Sequence, residues 1–66
     1  MSQSFEMIER VGISNECTCD AVKNVVEEAN KEKRVYWFEI VEQRGRVTED
    51  GKVEYQVKVQ MGRKID

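Results

Sequence analysis

The sequence has no proline and no histidine, and only two cysteines and one tryptophan among its 66 residues. Without histidine, a His-based catalytic triad and a His-containing metal site are excluded. The four glycines are isolated from one another, which excludes a glycine-rich phosphate-binding loop. No stretch approaches the roughly 20 apolar residues of a membrane span, and the first residues lack the apolar core of a signal peptide. We therefore expect no catalytic residue, no metal site and no membrane partner.

The two cysteines, Cys17 and Cys19, are separated by a single residue. This spacing is too short for ordinary disulfide geometry, so we expect both thiols to be reduced and to serve as small helix residues. Reduced thiols and the lack of an export signal together predict a cytoplasmic location.

The charged residues are balanced in sign and interspersed along the chain. Eleven Lys and Arg against thirteen Asp and Glu give a formal net charge of -2, which argues against a nucleic-acid partner. The length predicts a single domain over residues 1–66. A chain this short buries only about 60% of the surface of its unfolded form. Its own core is then marginal, and we expect added stability from self-association or a bound ligand.

Hydrophobic periodicity and turn residues predict four elements along the chain. They are a strand over Phe5–Val11 that ends at Gly12, a helix that is capped by Ser14 or Asn15 and ends near Glu32 or Lys33, and two strands over Val35–Val47 and Lys52–Ile65. Asp50-Gly51 supplies the positive φ of a tight turn, so the last two strands form a hairpin. A right-handed crossover makes the first two strands parallel and leaves the third between them. The predicted fold class is α+β, β-α-β-β, with a three-stranded antiparallel sheet of order 1-3-2.

The predicted hairpin is longer than the predicted helix. Its arms reach roughly 40 Å, whereas a helix of about 18 residues spans about 27 Å. Part of the hairpin must therefore curl around the helix or be covered by another copy of the chain.

The only tryptophan lies on the side of its strand that is turned away from the helix. Tyr36, Phe38 and Ile40 alternate onto the helix side, which leaves Trp37 on the other side. A large aromatic residue turned away from its own core is either an interface anchor or a stacking platform.

Strand pairing predicts which polar residues share that outer side. If Val47 faces Lys52, Gln43 lies opposite Gln56, and both lie on the same face as Trp37. An indole can stack on a planar heterocycle, and a glutamine amide can hydrogen-bond the imide or amide edge of such a ring. The pattern favours a site for an aromatic cofactor, but it leaves open that Trp37 only fills a subunit interface while the glutamines face water.

Five short segments, in this order and at these spacings, are similar to segments of dodecins, a family of small flavin-binding proteins. They are Val11-Gly12-Ile13-Ser14-Asn15-Glu16, Trp37-Phe38-Glu39, Arg44-Gly45, Glu54-Tyr55-Gln56-Val57 and Met61-Gly62. The resemblance covers nearly the whole chain. It implies a strand-helix-strand-strand monomer whose sheet partly wraps one helix, and a hollow homo-dodecamer built from such monomers.

The resemblance also implies roles for individual residues. Trp37 would stack on the ring of a flavin (FMN, riboflavin or FAD) at a subunit interface, and Gln56 would hydrogen-bond its pyrimidine edge. Arg44 would contact the ligand or a neighbouring subunit, although strand pairing places it on the opposite face unless Gly45 forms a bulge.

The implied function is to bind and store flavin and to limit photodamage, without catalysis. Some bacterial members also hold coenzyme A, which the cations of this chain would serve. The alternative is a structural module in which Trp37 anchors an oligomer and no flavin binds.

Overall fold

The computed structural model describes residues 3–65. It contains β1 (Phe5–Ser14), α1 (Thr18–Glu32), β2 (Trp37–Val47) and β3 (Val53–Lys64). β3 lies between β1 and β2 and pairs antiparallel with both. The predicted β-α-β-β order and the 1-3-2 sheet are therefore confirmed. No helix of the described part is long and apolar enough to span a bilayer.

The junction between β1 and α1 differs from the prediction. β1 does not end at Gly12, because the long β3 continues to pair with it as far as Ser14. The predicted helix caps, Ser14 and Asn15, are wrong. The Ser14 hydroxyl instead donates to an Asp20 carboxylate oxygen at 2.7 Å and accepts from the Glu16 backbone N–H at 2.9 Å. The helix is capped one turn later by Cys17, whose sulfur accepts from the Asp20 backbone N–H at 3.1 Å.

The two cysteines form a disulfide, and the expectation of reduced thiols is wrong. Cys17 has extended backbone angles of φ -169° and ψ 168° because it is the cap and not yet part of the helix. Its Cα atom therefore lies 5.3 Å from that of Cys19, within the range of ordinary disulfides. The prediction of a cytoplasmic location loses one of its two premises, the reduced thiols.

The core of the single chain is small. One side of α1 packs on β1 and β3 and only marginally on β2. Six residues are buried there: Ala21, Val25, Ala29, Val57, Val59 and Met61. The helix contributes mainly alanine and valine, so it lies close to the sheet. At Gly12, an added Cβ would overlap the Ala21 carbonyl oxygen and lie 3.0 Å from Val25.

The end of α1 is joined to the sheet by charged groups. Both terminal nitrogens of Arg10 donate to the Glu32 carboxylate, at 2.8 and 2.7 Å. These bonds hold the pKa of Glu32 below its usual range. Arg63, with 13% of its side chain exposed, lies on the same side and reaches Glu6 at 3.8 Å and Glu32 at 4.0 Å.

The β2–β3 hairpin contains one irregularity. Gly51, with φ of 83°, forms the predicted tight turn, but the loop is one residue longer than expected, so Val47 lies opposite Val53 and not Lys52. A bulge between Ile40 and Glu42 compensates, so the register from Trp37 to Ile40 is as predicted.

The hairpin extends well beyond the helix. The 15 residues of α1 span about 22 Å, whereas the 12 residues of β3 span about 40 Å. The molecule measures 54 × 20 × 15 Å. Its radius of gyration is 13.9 Å, compared with about 11 Å for a compact chain of this length. The helix side of β2 is consequently uncovered, and Phe38 and Ile40 remain exposed there.

We predict that Gly12→Ala lowers the free energy of unfolding by about 1–3 kcal/mol, because the new methyl group forces β1 and α1 apart. Denaturant unfolding at a fixed protein concentration measures the change. Glu49→Ala, in the hairpin turn, is the control and should leave stability nearly unchanged. Equal stability of Gly12→Ala and wild type would contradict the close contact of helix and strand.

We predict that protein purified without reductant has no thiol available for alkylation. Denaturation followed by iodoacetamide and mass spectrometry should show an unmodified chain that is lighter than the reduced chain by two hydrogens. Prior treatment with dithiothreitol should give two carbamidomethyl groups. Two modified cysteines without prior reduction would contradict the Cys17–Cys19 bond.

Candidate functional site

Trp37 begins β2 on the side of the sheet that faces away from α1, as predicted. It lies opposite Gly62 of β3, and 44% of its surface is exposed. Its neighbour Tyr36 donates its backbone N–H to the Gly62 carbonyl at 2.8 Å, which fixes the entry of the chain into β2. An exposed indole on a regular strand offers a rigid apolar surface for stacking.

The indole of Trp37 lies directly over Gly62. A Cβ built on Gly62 would overlap the six-membered ring, at 2.7 Å from Cη2 and closer still to Cε2 and Cζ2. The absence of a side chain at this position therefore leaves room for the indole over β3. Phe5 of β1 packs edge-on against it, with 5.0 Å between ring centroids and 60° between planes. Phe5 also meets Tyr36 at 5.5 Å.

The bulge in β2 changes which polar residues share the outer side with Trp37. Gln43 lies opposite the buried Val57 and faces the helix side, so its predicted place beside Gln56 is wrong. Arg44 lies opposite Gln56 instead, and its Nε donates to the Gln56 side-chain oxygen at 2.9 Å. The sequence prediction placed Arg44 on the opposite face unless Gly45 forms a bulge. That placement is wrong because the strand does contain a bulge, but it lies between Ile40 and Glu42 and not at Gly45.

Gln56 belongs to a row of hydrogen-bonded side chains across the two strands, which we call the polar ladder: Arg44, Gln56, Glu54 and Arg46. The Gln56 amide nitrogen donates to Glu54 at 3.0 Å. Arg46 donates to the same carboxylate at 2.8 and 3.4 Å. Hydrogen bonds from Arg46, and then from Gln56, hold the pKa of Glu54 below its usual range. The carboxylate is therefore ionised at neutral pH.

Trp37 and Gln56 are far apart within one chain. Trp37 lies opposite Gly62, and Gly62 is six positions from Gln56 along β3, a separation of about 20 Å. A hollow of about 70 Å³ next to Gln56, lined partly by Val11, Glu42 and Lys58, is large enough for a few water molecules but too small for a flavin ring. One chain thus supplies a stacking surface and a polar ladder, but it does not bring them together.

Two larger hollows are open grooves on the helix side of β2. One of them, of about 460 Å³, has almost entirely apolar walls and is lined by Cys19, Val22, Lys23, Val26, Glu27, Phe38 and Ile40. Within residues 3–65, no group of three or more Cys, Asp or Glu side chains is placed to hold a metal ion.

Several residues of the site have no site role in the sequence prediction. Phe5 and Gly62 complete the surface around Trp37, and Glu54 and Arg46 complete the polar ladder. The predicted register places Arg46 opposite Val53. The available signal is the charge of Arg46 and Glu54, because the observed register pairs these opposite charges.

The comparisons with known proteins agree on one family. A dodecin family model matches residues 5–66. A variant of the Thermus thermophilus dodecin is similar with a TM-score of 0.87 and 33% identity, over 98% of this chain and 97% of that one. The Streptomyces coelicolor dodecin gives 0.86 and 33%, over 97% and 93% of the two chains. The Streptomyces davaonensis dodecin gives 0.88 and 27%, over 100% and 98%. No relative was found among the curated proteins.

Fold and surface together define a small α+β protein whose sheet carries an aromatic platform on the side that its helix does not cover. The family match extends over nearly the whole chain and includes the Trp37 and Gln56 segments. The chain belongs to the dodecin family.

We predict that Gly62→Ala displaces the Trp37 indole without disturbing the strand, because Gly62 has no positive φ and the three atoms nearest to the new Cβ all belong to the ring. The only tryptophan should then emit at longer wavelength, since its ring becomes more solvated. Gly62→Ala should also lower the free energy of unfolding of wild type by about 1 kcal/mol more than it lowers that of the Trp37→Ala variant. An unchanged emission maximum and equal costs in both backgrounds would contradict this contact.

Proposed function

We propose that this chain assembles with copies of itself and binds flavins between subunits, where Trp37 forms the stacking surface. The observation that carries the proposal is the exposed indole, which packs over the side-chain-free Gly62 with Phe5 edge-on against it. Membership of a family that binds flavins supports the choice of ligand. The isoalloxazine ring is a planar heterocycle of the kind that such an indole stacks on.

Two copies are needed because one chain is incomplete as a site. The edge of a flavin ring needs hydrogen-bonding groups, and the polar ladder at Gln56 lies about 20 Å from Trp37 of the same chain. A ring on Trp37 of one subunit is therefore expected to meet Gln56 and Arg44 of another. Gln43 is no longer part of the proposed site, since it faces the helix side.

The exposed apolar surface supports self-association. Within residues 3–65, eleven large apolar side chains are exposed, compared with six buried hydrophobic residues in the core. They lie on both sides of the sheet: Met7, Val11, Ile13, Tyr36, Trp37, Phe38, Ile40, Val41, Val47, Val53 and Ile65. Large exposed apolar surfaces are typical of subunit interfaces. A closed homo-dodecamer is the assembly that the family resemblance predicts.

The chemistry of the site is binding and not turnover. Close stacking of an indole on a flavin allows electron transfer to the excited ring, which quenches its fluorescence and limits photochemistry. We propose flavin storage and photoprotection on this basis, with FMN, riboflavin and FAD as candidate ligands, and no enzymatic activity. A cytoplasmic location stays a prediction, and coenzyme A binding stays a prediction of the family resemblance alone.

A second function, an assembly module without a ligand, is favoured by one observation. Phe5, Tyr36 and Trp37 already contact one another at the end of the sheet, which is how an interface anchor is built. In that case Trp37 would be covered by a neighbouring subunit. The two functions differ in what happens when the indole is removed.

We predict that the protein quenches the fluorescence of riboflavin and FMN at micromolar concentration and that Trp37→Ala abolishes this quenching. Trp37→Phe is the matched control, because it keeps an aromatic ring but is a poorer electron donor. It should retain weak binding with less quenching. Fluorescence titration measures both effects.

Size-exclusion chromatography of the same variants separates the two functions. An oligomer that survives in Trp37→Ala without binding flavin supports the ligand site. Loss of the oligomer supports the anchor instead. Flavin that stays bright with wild-type protein would refute the proposed function.

A further inference from the structure

The Gln56 amide lies between a group that can only donate and a group that can only accept. On one side, the guanidinium of Arg44 donates to its oxygen at 2.9 Å. On the other side, the carboxylate of Glu54 accepts from its nitrogen at 3.0 Å. A guanidinium has no acceptor, and an ionised carboxylate has no donor. If the amide were turned over, its nitrogen would face the Arg44 donor and its oxygen would face the Glu54 carboxylate, so both hydrogen bonds would be lost.

We propose that Glu54 is a positioning residue that, together with Arg44, fixes the orientation of the Gln56 amide for recognition of an imide edge. The inference rests on the proposed function and identifies the imide edge as the part of the flavin that the polar ladder recognises. Gln56 keeps one N–H and one oxygen lone pair after its contacts within the chain. A ring carbonyl that accepts and an adjacent ring N–H that donates are complementary to these two groups.

Arg46 keeps Glu54 in place for this role. Its Nε donates at 2.8 Å to the same carboxylate oxygen that accepts from Gln56, and a second nitrogen reaches the other oxygen at 3.4 Å. The Glu54 side chain is only 16% exposed, whereas that of Arg46 is 62% exposed. The arginine thus closes the ladder from the solvent side and keeps the carboxylate ionised.

A fixed amide has a consequence for specificity. A ligand that lacks the imide N–H leaves the Gln56 oxygen without a partner on that side, and a site built to hydrogen-bond a group rejects analogues that lack it. A freely turning amide would adapt to either arrangement of donor and acceptor. The ladder therefore favours flavins with an unsubstituted imide over N3-alkylated flavins.

The test is a paired titration with riboflavin and N3-methylriboflavin, which differ at the imide nitrogen. Wild type should bind riboflavin at least tenfold more tightly, as measured by quenching. Glu54→Ala should reduce this preference about five- to tenfold, the loss of one hydrogen bond. Gln56→Ala should reduce it at least as much. Glu54→Gln keeps the shape of the side chain and should fall between Glu54→Ala and wild type.

The ratio of the two affinities is the readout, because partial unfolding or loss of oligomer lowers both affinities together. Glu49→Ala removes the same charge from the hairpin turn and should leave the ratio unchanged. A wild-type preference that persists in Glu54→Ala would overturn the positioning role. A preference that persists in Gln56→Ala would overturn recognition of the imide by this amide. If wild type binds neither flavin, the proposed function itself fails.

Discussion

The small core and the exposed apolar surface of this molecule both result from a mismatch in length between its sheet and its helix. Strands of about 40 Å are covered on one side by a helix of about 22 Å, and the other side has no cover in the single chain. Within residues 3–65, six buried hydrophobic residues form the core, and five of them are valine or alanine from the helix stripe or from β3. Such a core is too small to hold a long hairpin rigid by itself. The exposed apolar surface is then a means of stabilisation by association.

The bulge at Val41 determines what that surface presents. Before it, Trp37 and Glu39 face outward in the register that the turn predicts. After it, Arg44 replaces Gln43 on the outer side and meets Gln56. If the register of Trp37–Ile40 continued along β2, Gln43 would lie opposite Gln56, and neither amide would fix the other because each can donate and accept. One extra residue thus converts an adaptable pair into an ordered ladder.

Much of the fold follows from the sequence because the signals are local and agree with each other. Period-two alternation, Asp50-Gly51 and the small-residue helix stripe predict the elements and their order, which the structure confirms. Trp37 lies on the predicted side because that prediction uses only the alternation of the residues next to it. Gln43 was misplaced because its position depends on loop length and on a bulge, neither of which has a sequence signature here. The predicted helix cap is wrong because β1 continues to Ser14. The disulfide is not predicted because it needs the extended backbone of Cys17, which only the folded junction provides.

The stacking surface over Gly62 and the polar ladder lie on the same side of the sheet but about 20 Å apart, which is roughly six strand residues. Gly62 has no side chain, so the Trp37 indole packs against β3 there and still leaves 44% of the residue's surface exposed for a stacked ring. A ring stacked there lies beyond the reach of Gln56 of the same chain. The Gln56 amide stands on the same outer side, held by Arg44 and Glu54. The proposed site therefore needs a second copy whose ladder lies beside the first copy's indole, so that stacking and edge recognition act on one ring.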